Sequence, residues 1–375
     1  LSDKYSVKDR FRRSTRLDSD GSTSGSLDGI TLHDTGRHIV DRFLKGIGTG
    51  EQRSFTWSGP YGTGKSTLAL FLASLLGPDQ DLRDAAKKIY GKSGAGPKHN
   101  HSEILDEKWF VLRVTARRET TLEAIARSVG VAIKEFWPKN LPVEIKRIPE
   151  ISSEDELFAA LETISNAKKV AGILIIIDEM GKLLEHAATT NADLHLFQEL
   201  AELCARAEQP IGLLGILHQS FQEYAGRLDR KRRNEWAKVQ GRFEDVPFSI
   251  SIEESVDLVS QAISPKGKRK SNDLNDLGER FLTATSQVRF SQNKKLIGKF
   301  VGCAPLHPAT VFLLPLISRQ RFAQNERSIF SFLLSGEPGG LRDFLLSTSF
   351  DEKASLQLYP PNFLWDYLHT NLEQA

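Results

Sequence analysis

The chain has 375 residues, 39% of them hydrophobic and 26% charged, an ordinary globular composition with room for two or three domains. The net charge of +2 excludes an overall positive field for nucleic acid, and no apolar run approaches the roughly 18 to 20 residues that span a bilayer. Cys204 and Cys303 lie far apart in apolar surroundings, which predicts buried thiols in a reducing, cytoplasmic compartment rather than a disulfide.

The first segment, residues 1–27, is expected to be a linker that includes the flexible stretch SDGSTSGS. The chain begins at Leu1, contains one methionine, Met180, and shows no signal-peptide pattern. We therefore expect it to be a piece of a longer protein.

A glycine-rich stretch lies between the first predicted strand, RSFTWS, and the first long predicted helix, STLALFLASLLG. The stretch GPYGTGKS satisfies the pattern G-x-x-x-x-G-K-[ST], and strand–loop–helix is the context in which this pattern forms a P-loop. Its glycines allow backbone N–H groups to surround phosphate oxygens at the helix N-terminus. The predicted nucleotide-binding residues are Gly59, Pro60, Tyr61, Gly62, Thr63, Gly64, Lys65, Ser66 and Thr67.

Two of these residues have predicted chemical roles with ATP and Mg²⁺. The ammonium group of Lys65 would reach the β- and γ-phosphates, which makes it a catalytic as well as a binding residue. The hydroxyl of Ser66 would be offered to Mg²⁺. A glycine-rich turn without function is the alternative.

A second buried strand is predicted by the continuous apolar run Ile173–Ile177, since such runs are typical of strands covered on both faces. Asp178 follows at the carboxyl end of this strand, where parallel sheets bind ligands, and is the second predicted Mg²⁺ ligand. Glu179 comes next and is predicted to polarise the attacking water. A surface acidic turn is the alternative interpretation.

Strands alternate with helices along the rest of this region, which predicts a parallel sheet covered on both faces. The further predicted strands are 108–116, 210–217 and 244–252, and the predicted helices include 121–136, one opened by Ser153, and LHLFQELAELCARA. His218 and Gln219 follow the strand that ends at Leu217 and are candidates to contact the γ-phosphate or the attacking water. A polar strand cap would explain them without function.

Arg242 lies between a predicted helix and the fifth strand. An arginine in this place can reach the phosphate site of a neighbouring subunit and act as an arginine finger. A surface salt bridge is the alternative.

In chain order, GPYGTGKS, ILIIIDE, ILHQ and GRFEDVPF resemble the Walker A, Walker B, sensor 1 and arginine-finger elements of the AAA+ ATPases. The resemblance implies an AAA+-like core followed by a helical lid, and an adenine pocket lined by SLDGITL, with Asp28 and Ile30. It also implies a sensor 2 arginine, for which FAQNERSIF offers Arg327. A packing or salt-bridge role is the alternative for Arg327, because the usual Gly-x-Arg pattern is missing.

DEMGKLLEHA, LHQSFQEYAGRL, WAKVQGRF and LWDYL further resemble large bacterial ATP-binding proteins of phage-defence systems of the bacteriophage-exclusion type. This resemblance implies a homo-oligomer or partner subunits in a multi-protein system and possible DNA contact. The short apolar runs noted above predict no membrane partner.

Three further segments have simpler explanations. KHNH in a glycine-rich loop predicts a solvated loop rather than a metal site, and SPKGKRKSND predicts an exposed linker rather than a phosphate contact. RLDRKRRNEW is basic too, but a solvated helix explains it equally well.

The sequence thus predicts an α/β fold: a P-loop NTPase with a three-layer parallel sheet and a C-terminal helical lid. The predicted segments are a linker over 1–27, the ATPase core over 28–252, the lid over 253–349, and the start of a further helical region over 350–375. The predicted reaction is Mg²⁺-dependent ATP hydrolysis that drives remodelling or switching of a protein–nucleic-acid complex. A STAND-like oligomerisation switch with slow hydrolysis and a P-loop small-molecule kinase are the alternatives.

Overall fold

A computed structural model describes most of the chain. The described residues are 1–8, 11, 15–20, 25–92, 102–190, 194–266, 271–285, 287, 295–318, 329–334, 336–349 and 356–373.

The described residues form seven strands and nineteen α-helices. The strands are β1 (Tyr5–Val7), β2 (Ser54–Ser58), β3 (Phe110–Thr115), β4 (Ile173–Asp178), β5 (Ile211–Leu217), β6 (Glu244–Pro247) and β7 (Ile263–Pro265). The helices are α1 (Leu17–Asp20), α2 (Asp34–Thr49), α3 (Lys65–Leu76), α4 (Gln80–Lys92), α5 (Ser102–Asp106), α6 (Thr121–Phe136), α7 (Val143–Lys146), α8 (Glu154–Ser165), α9 (Met180–Thr190), α10 (His195–Arg206), α11 (Phe221–Tyr224), α12 (Arg230–Gln240), α13 (Ile252–Ala262), α14 (Ser271–Ala284), α15 (Lys295–Gly302), α16 (Pro308–Ser318), α17 (Ile329–Leu334), α18 (Leu341–Ser347) and α19 (Pro361–Glu373).

The chain divides into two compact units. One consists of Thr15–Gly59 and Gly64–Ser249, and the other of Leu1–Ser14, Pro60–Thr63 and Ile250–Ala375. The first contains the five-stranded sheet, and the second contains a two-stranded pair and the last seven helices.

The sheet of the first unit has the strand order β3-β4-β5-β2-β6, and every neighbouring pair is parallel. Strands β4 and β5 are buried along their whole length, which explains their unbroken apolar sequences. Helices cover the sheet, so the predicted three-layer α/β P-loop fold is confirmed.

Alternation of side chains along β4 determines which helices each residue meets. Ile173, Ile175 and Ile177 belong to one large core cluster with residues of α6, α8 and α10. On the other face, a side chain added at Gly212 of β5 would meet both Leu174 of β4 and Phe43 of α2. Asp178 has the parity of Leu174, so it leaves the strand on the face opposite that core.

Several helix boundaries follow directly from local sequence. Helix α6 covers 121–136 as predicted and begins with a capping box between Thr120 and Glu123. Ser153 forms the same arrangement with Glu156 at the start of α8, which confirms the helix start predicted there.

The fifth strand is shorter than predicted. The sequence favours a strand over 244–252, but β6 ends at Pro247. A proline has no N–H group for a sheet hydrogen bond, and Ser251 forms a capping box with Glu254 that starts α13. Asp245 fixes the register of this short strand, because its carboxylate accepts hydrogen bonds from the hydroxyls of Thr56 (2.8 Å) and Ser58 (3.0 Å) on β2.

The second unit has its own apolar core, formed by α13 to α19 with the N-terminal segment. Strand β1 pairs antiparallel with β7, so the first residues of the chain, expected to be a linker, contribute to this unit. Tyr359 is fully buried and its ring packs against Phe332 and Phe344. The region that follows 349 therefore shares one core with the helices of the predicted lid.

Both cysteines, Cys204 and Cys303, are buried and form no disulfide, as predicted. Within the described ranges, none of the helices combines the length and apolar character needed to cross a bilayer.

Candidate functional site

The loop between β2 and α3 has the backbone conformation that its glycines were predicted to supply. Gly62 and Gly64 have φ angles of 71° and 94°, in the left-handed region that favours glycine. Gly64 is the N-cap residue of α3, and no side chain caps the first turn there. Thr63 closes the loop locally, because its hydroxyl donates to the carbonyl of Pro60 at 2.9 Å. Tyr61 is exposed.

Lys65 is the first residue of α3 and is only 4% exposed. Its ammonium group donates to the carbonyl oxygen of Gly59 at 2.5 Å, so the side chain folds back over the start of its own loop. A buried ammonium group needs such partners, since burial of an unpaired charge is strongly unfavourable. The cation is thereby held at the N-terminus of α3.

A direct hydrogen bond joins the loop to the second predicted motif. The hydroxyl of Ser66 donates to Oδ1 of Asp178 at 3.1 Å, across 112 residues of sequence. Strand parity explains the contact, because Asp178 leaves β4 on the face opposite the large core cluster. The next residue on α3, Thr67, has its hydroxyl 2.9 Å from that of Thr15.

Burial raises the pKa of Asp178 to about 6, and the neighbouring charge of Glu179 adds to this effect. The hydrogen bond from Ser66 and the backbone N–H of Glu179, which donates to Oδ1 at 2.9 Å, act in the opposite direction. At neutral pH the carboxyl group is therefore mostly ionised while it is 4% exposed. A buried negative charge of this kind favours a cation as its partner.

Glu179 differs from its neighbour in conformation and in charge environment. Its φ angle of 58° lies in the left-handed region, which costs a non-glycine residue roughly 1 to 2 kcal/mol. Its carboxylate lies 3.5 Å from Nε2 of His218 and 3.1 Å from the ammonium group of Lys182. His218, with Lys182, lowers the pKa of Glu179 to about 2.

Close packing fixes the turn between β4 and α9 that carries both carboxylates. A side chain at Gly215 of β5 would approach the sulfur of Met180 to 2.2 Å, and one at Gly181 would approach the hydroxyl of Tyr224 to 2.2 Å. The two glycines therefore allow Met180 and Tyr224 to pack against the turn. Sequence reasoning missed these four residues; the glycine inside a buried strand was the available signal.

Lys182 was also missed. Its ammonium group pairs with Glu179 at i,i+3, next to a residue whose left-handed conformation the sequence did not predict.

His218 and Gln219 follow β5, the strand that lies between the P-loop strand β2 and the Asp178 strand β4. His218 is largely buried, with 12% of its side chain exposed, and reaches Glu179. Gln219 is half-buried beside it. The structure therefore brings His218 to the predicted catalytic carboxylate.

Arg242 lies just before β6 and contacts its own subunit. Its guanidinium group forms an ion pair with Glu202 of α10, and its side chain is 37% exposed. Glu202 also pairs with Arg206 at 2.6 Å. The arrangement is the salt bridge given as the alternative to an arginine finger.

The predicted adenine-binding residues lie in the turn before α2. Asp28 and Ile30 both take part in backbone hydrogen bonds of this turn, Asp28 with Gly25 and Ile30 with Leu27. Asp28 is exposed and Ile30 is half-buried. The same segment ends at Leu32, whose side chain lies close to Leu68 of α3, since an added Cβ at Gly36 would meet both.

Three predictions concern residues outside the described part of the chain: Arg327 as sensor 2, the solvated loop KHNH (98–101), and most of the basic run 266–270.

The residues present fit Mg²⁺. This cation prefers oxygen ligands, keeps several waters, and is usually held by one or two carboxylates together with substrate phosphates. Ser66 and Asp178 supply one hydroxyl and one buried carboxylate in direct contact. Within the described residues no cluster of three His, Cys, Asp or Glu side chains could hold a metal by itself, which excludes a protein-only cage there.

A scan against protein-family models and a search of curated proteins both found no match. Among solved structures, the chain is similar to two structures of the Aeropyrum pernix ORC2 protein. One is of its ADPNP-ADP complexes and the other is of its ADP form. Identity is 15% and 16%, the TM-score is 0.37 in both cases, and the match covers 71% of this chain and 66% and 67% of those chains. The fold class therefore rests on the sheet and loop described above.

Proposed function

We propose that this chain binds ATP together with Mg²⁺ and hydrolyses it by in-line attack of water on the γ-phosphate. The observation that carries the proposal is the hydrogen bond between Ser66 and Asp178, with Lys65 held beside it at the N-terminus of α3. A phosphate-binding loop, a cation and a buried carboxylate thus meet at the carboxyl edge of one parallel sheet.

Each residue of this chain then has a defined task. The backbone N–H groups of the loop and the ammonium group of Lys65 bind the phosphates, and Ser66 with Asp178 would hold Mg²⁺. Bound Mg²⁺ neutralises charge on the transferred phosphoryl group. Phosphoryl transfer depends mainly on positioning, so Glu179 needs to orient and polarise the attacking water rather than remove its proton completely.

The structure offers one observation in favour of a second function, a STAND-like switch that hydrolyses ATP slowly. Glu179 is engaged by His218 and Lys182, and a carboxylate with a pKa of about 2 is a weak base. If these contacts persist after ATP binds, the chain would remain in an ATP-bound state for long periods. Single-turnover measurements separate the functions, because a switch would retain bound ATP for many minutes while a motor would turn over continuously.

We further propose that hydrolysis drives remodelling or switching of a protein–nucleic-acid complex, in the cytoplasm of a bacterium and in defence against phage. This biological setting is supported by the sequence resemblance alone. A plaque assay tests it: cells that carry the complete system should lose protection when Glu179 is replaced by glutamine.

An oligomer or a set of partner subunits belongs to the same proposal, with Arg242 acting on the phosphate site of a neighbour. Two features support this role: Arg242 is partly exposed, and its partner Glu202 keeps a second cation, Arg206, when Arg242 leaves.

The direct test of the central proposal is calorimetry with ATP in the presence and absence of Mg²⁺. Wild-type protein should bind ATP, and Ser66→Ala should weaken only the Mg²⁺-dependent part of the affinity, because it removes a metal ligand and leaves the loop glycines and Lys65 in place. Equal Mg²⁺ dependence in the two proteins would contradict the assignment.

A further inference from the structure

Helix α12 has a strong local excess of positive charge. Its eleven residues, RKRRNEWAKVQ, include five basic residues and one acidic residue, whereas the whole chain has a net charge of only +2. Overall composition therefore does not account for the charge of this helix.

The helix has two distinct faces. Trp236 and Val239 are buried and attach the helix to the core of the first unit. The ring of Trp236 packs against that of Phe221, with 5.9 Å between the two ring centroids. On the opposite side Arg230, Asn234 and Lys238 are exposed and follow one another at intervals of four residues. Because residues four apart share a helix face, they form a line of about 12 Å along the surface.

The position of the charges within the helix is locally unfavourable. Four basic residues, 230–233, occupy the first turn, where the helix dipole favours negative groups and repels cations. Asp229 supplies the N-cap, and its carboxylate lies 3.7 Å from Arg232. The helix itself would be more stable with acidic residues in its first turn and basic residues in its last turn.

Several cations of other helices have an ion-pair partner. Arg206 of α10 pairs with Glu202, Arg37 of α2 with Asp41, and Lys87 of α4 with Asp106. By contrast, no ion pair with a described residue is formed by the four cations Arg230, Lys231, Arg233 and Lys238.

From these observations we propose that the exposed basic face of α12, defined as Arg230, Lys231, Arg233 and Lys238, binds the phosphodiester backbone of a nucleic-acid duplex. Closely spaced, exposed cations gain by replacing the counterions of a polyanion. Single strands are bound largely by stacking of bases on aromatic side chains, and the one aromatic residue of α12, Trp236, is 5% exposed. A duplex, which offers phosphates and stacked bases, is therefore the partner that this face fits.

The inference names the nucleic-acid partner of the proposed ATPase, but binding at α12 requires no hydrolysis. It is therefore measured without nucleotide, by fluorescence anisotropy with a labelled 20-base-pair DNA duplex at several salt concentrations. The test variant is Arg230→Glu, Lys231→Glu, Arg233→Glu. Its glutamates lie in the first turn, where the dipole favours them, so the helix should fold at least as well as in the wild type.

The wild-type affinity should fall steeply as salt rises, and the variant should bind at least tenfold more weakly at low salt. The slope of log K against log salt should decrease by about 2 to 3, since each lost phosphate contact removes roughly 0.9. A matched control replaces three exposed lysines outside α12, Lys45, Lys134 and Lys168, by glutamate. It makes the same change in net charge and should retain most of the binding.

Three results would overturn the proposal: wild-type protein that does not bind the duplex at low salt, a test variant that binds like the control, or a single strand of equal length that binds more tightly with the same dependence on α12. Failure of the ATPase proposal would look different. Glu179→Gln should bind the duplex normally, and the α12 variant should bind ATP normally.

Discussion

Charged side chains are buried and hydrogen-bonded at the carboxyl edge of the sheet, whereas those on the exposed face of α12 are in contact with solvent. At the sheet edge, Lys65 and Asp178 are each 4% exposed, and each has a hydrogen-bond partner within the chain. On α12, Arg230 and Arg233 are exposed and form no ion pair with a described residue. Burial of an ion is unfavourable without partners, whereas a hydrated surface ion needs none.

This difference has a consequence for binding. A ligand at the sheet edge must replace bonds that already exist, so its own groups have to match those of Lys65 and Asp178 closely. A ligand at α12 has only to displace counterions, so its binding is expected to be sensitive to salt and tolerant of sequence. The four predictions that follow test charges that are buried, half-exposed or shared between partners.

The largest effect is expected at Arg242. It is neither a buried charge nor an exposed charge without an ion pair, because its side chain is 37% exposed and pairs with Glu202. If it acts on a neighbouring subunit, Arg242→Ala should lower turnover by about 10³ or more. Mixing this variant with Glu179→Gln should partly restore activity, since an intact arginine of one protein then serves an intact site of the other. Turnover is measured on mixtures in which light scattering has established mixed oligomers.

The matched control for Arg242 is Arg206→Ala, because both arginines pair with Glu202. This control should leave turnover unchanged. An equal loss in the two variants, or strictly additive rates in the mixture, would show that Arg242 acts by holding α10 within its own subunit.

Glu179 is expected to give the next largest effect. Glu179→Gln keeps the shape of the side chain but removes the charge that polarises water, so turnover should fall by about 10² while ATP still binds. Steady-state hydrolysis and calorimetry measure the two quantities on the same preparation. Glu185→Gln on α9, the helix that follows Glu179, changes an exposed carboxylate and is the control. Hydrolysis at the wild-type rate would remove Glu179 from the reaction.

Much of the sheet edge could be predicted from sequence because its determinants are local. The glycines before Lys65 and the unbroken apolar run before Asp178 each define a strand end without reference to the rest of the fold. The hydrogen bond between Ser66 and Asp178 then follows from the parallel arrangement of the strands.

What could not be predicted depends on packing between distant segments. Glu179, which pairs with Lys182, adopts a left-handed conformation that its sequence does not indicate. Met180 at the start of α9 packs against Gly215 of β5, which lies 35 residues further along the chain. The charge of α12 was visible in the sequence, but the exposure of its side chains was not. The exposure of a basic segment depends on the other segments that pack against it, and the sequence of the segment alone does not give these.

The third prediction is that the buried charge of Asp178 destabilises the folded protein when no cation is bound. Its pKa is raised from 3.8 to about 6, so between these values the folded protein binds more protons than the unfolded chain. Stability should therefore fall as pH rises through this window. Asp178→Asn can still accept hydrogen bonds through its amide oxygen, and it should be more stable than wild type by about 1 to 3 kcal/mol above pH 6, with no advantage near pH 4.

Urea unfolding at pH 4, 5, 6 and 8 without Mg²⁺ measures this difference. Asp84→Asn, at an exposed position of α4, is the control and should show little change with pH. A constant difference between Asp178→Asn and wild type at all four pH values would mean that the ionised carboxylate is not destabilising in the free protein.

The smallest of the four effects is expected at Lys65. Lys65→Ala removes a cation aimed at the β- and γ-phosphates, so ATP affinity should fall tenfold or more, which is about 1.4 kcal/mol. Loss of a cation in this position should matter less for ADP and least for AMP, which lacks both phosphates. Calorimetry with the three nucleotides therefore separates a phosphate contact from a general disturbance of the loop, and Lys45→Ala, at an exposed position on α2, is the control. If affinity falls equally for all three nucleotides, Lys65 acts by holding the carbonyl of Gly59 and not by binding phosphate.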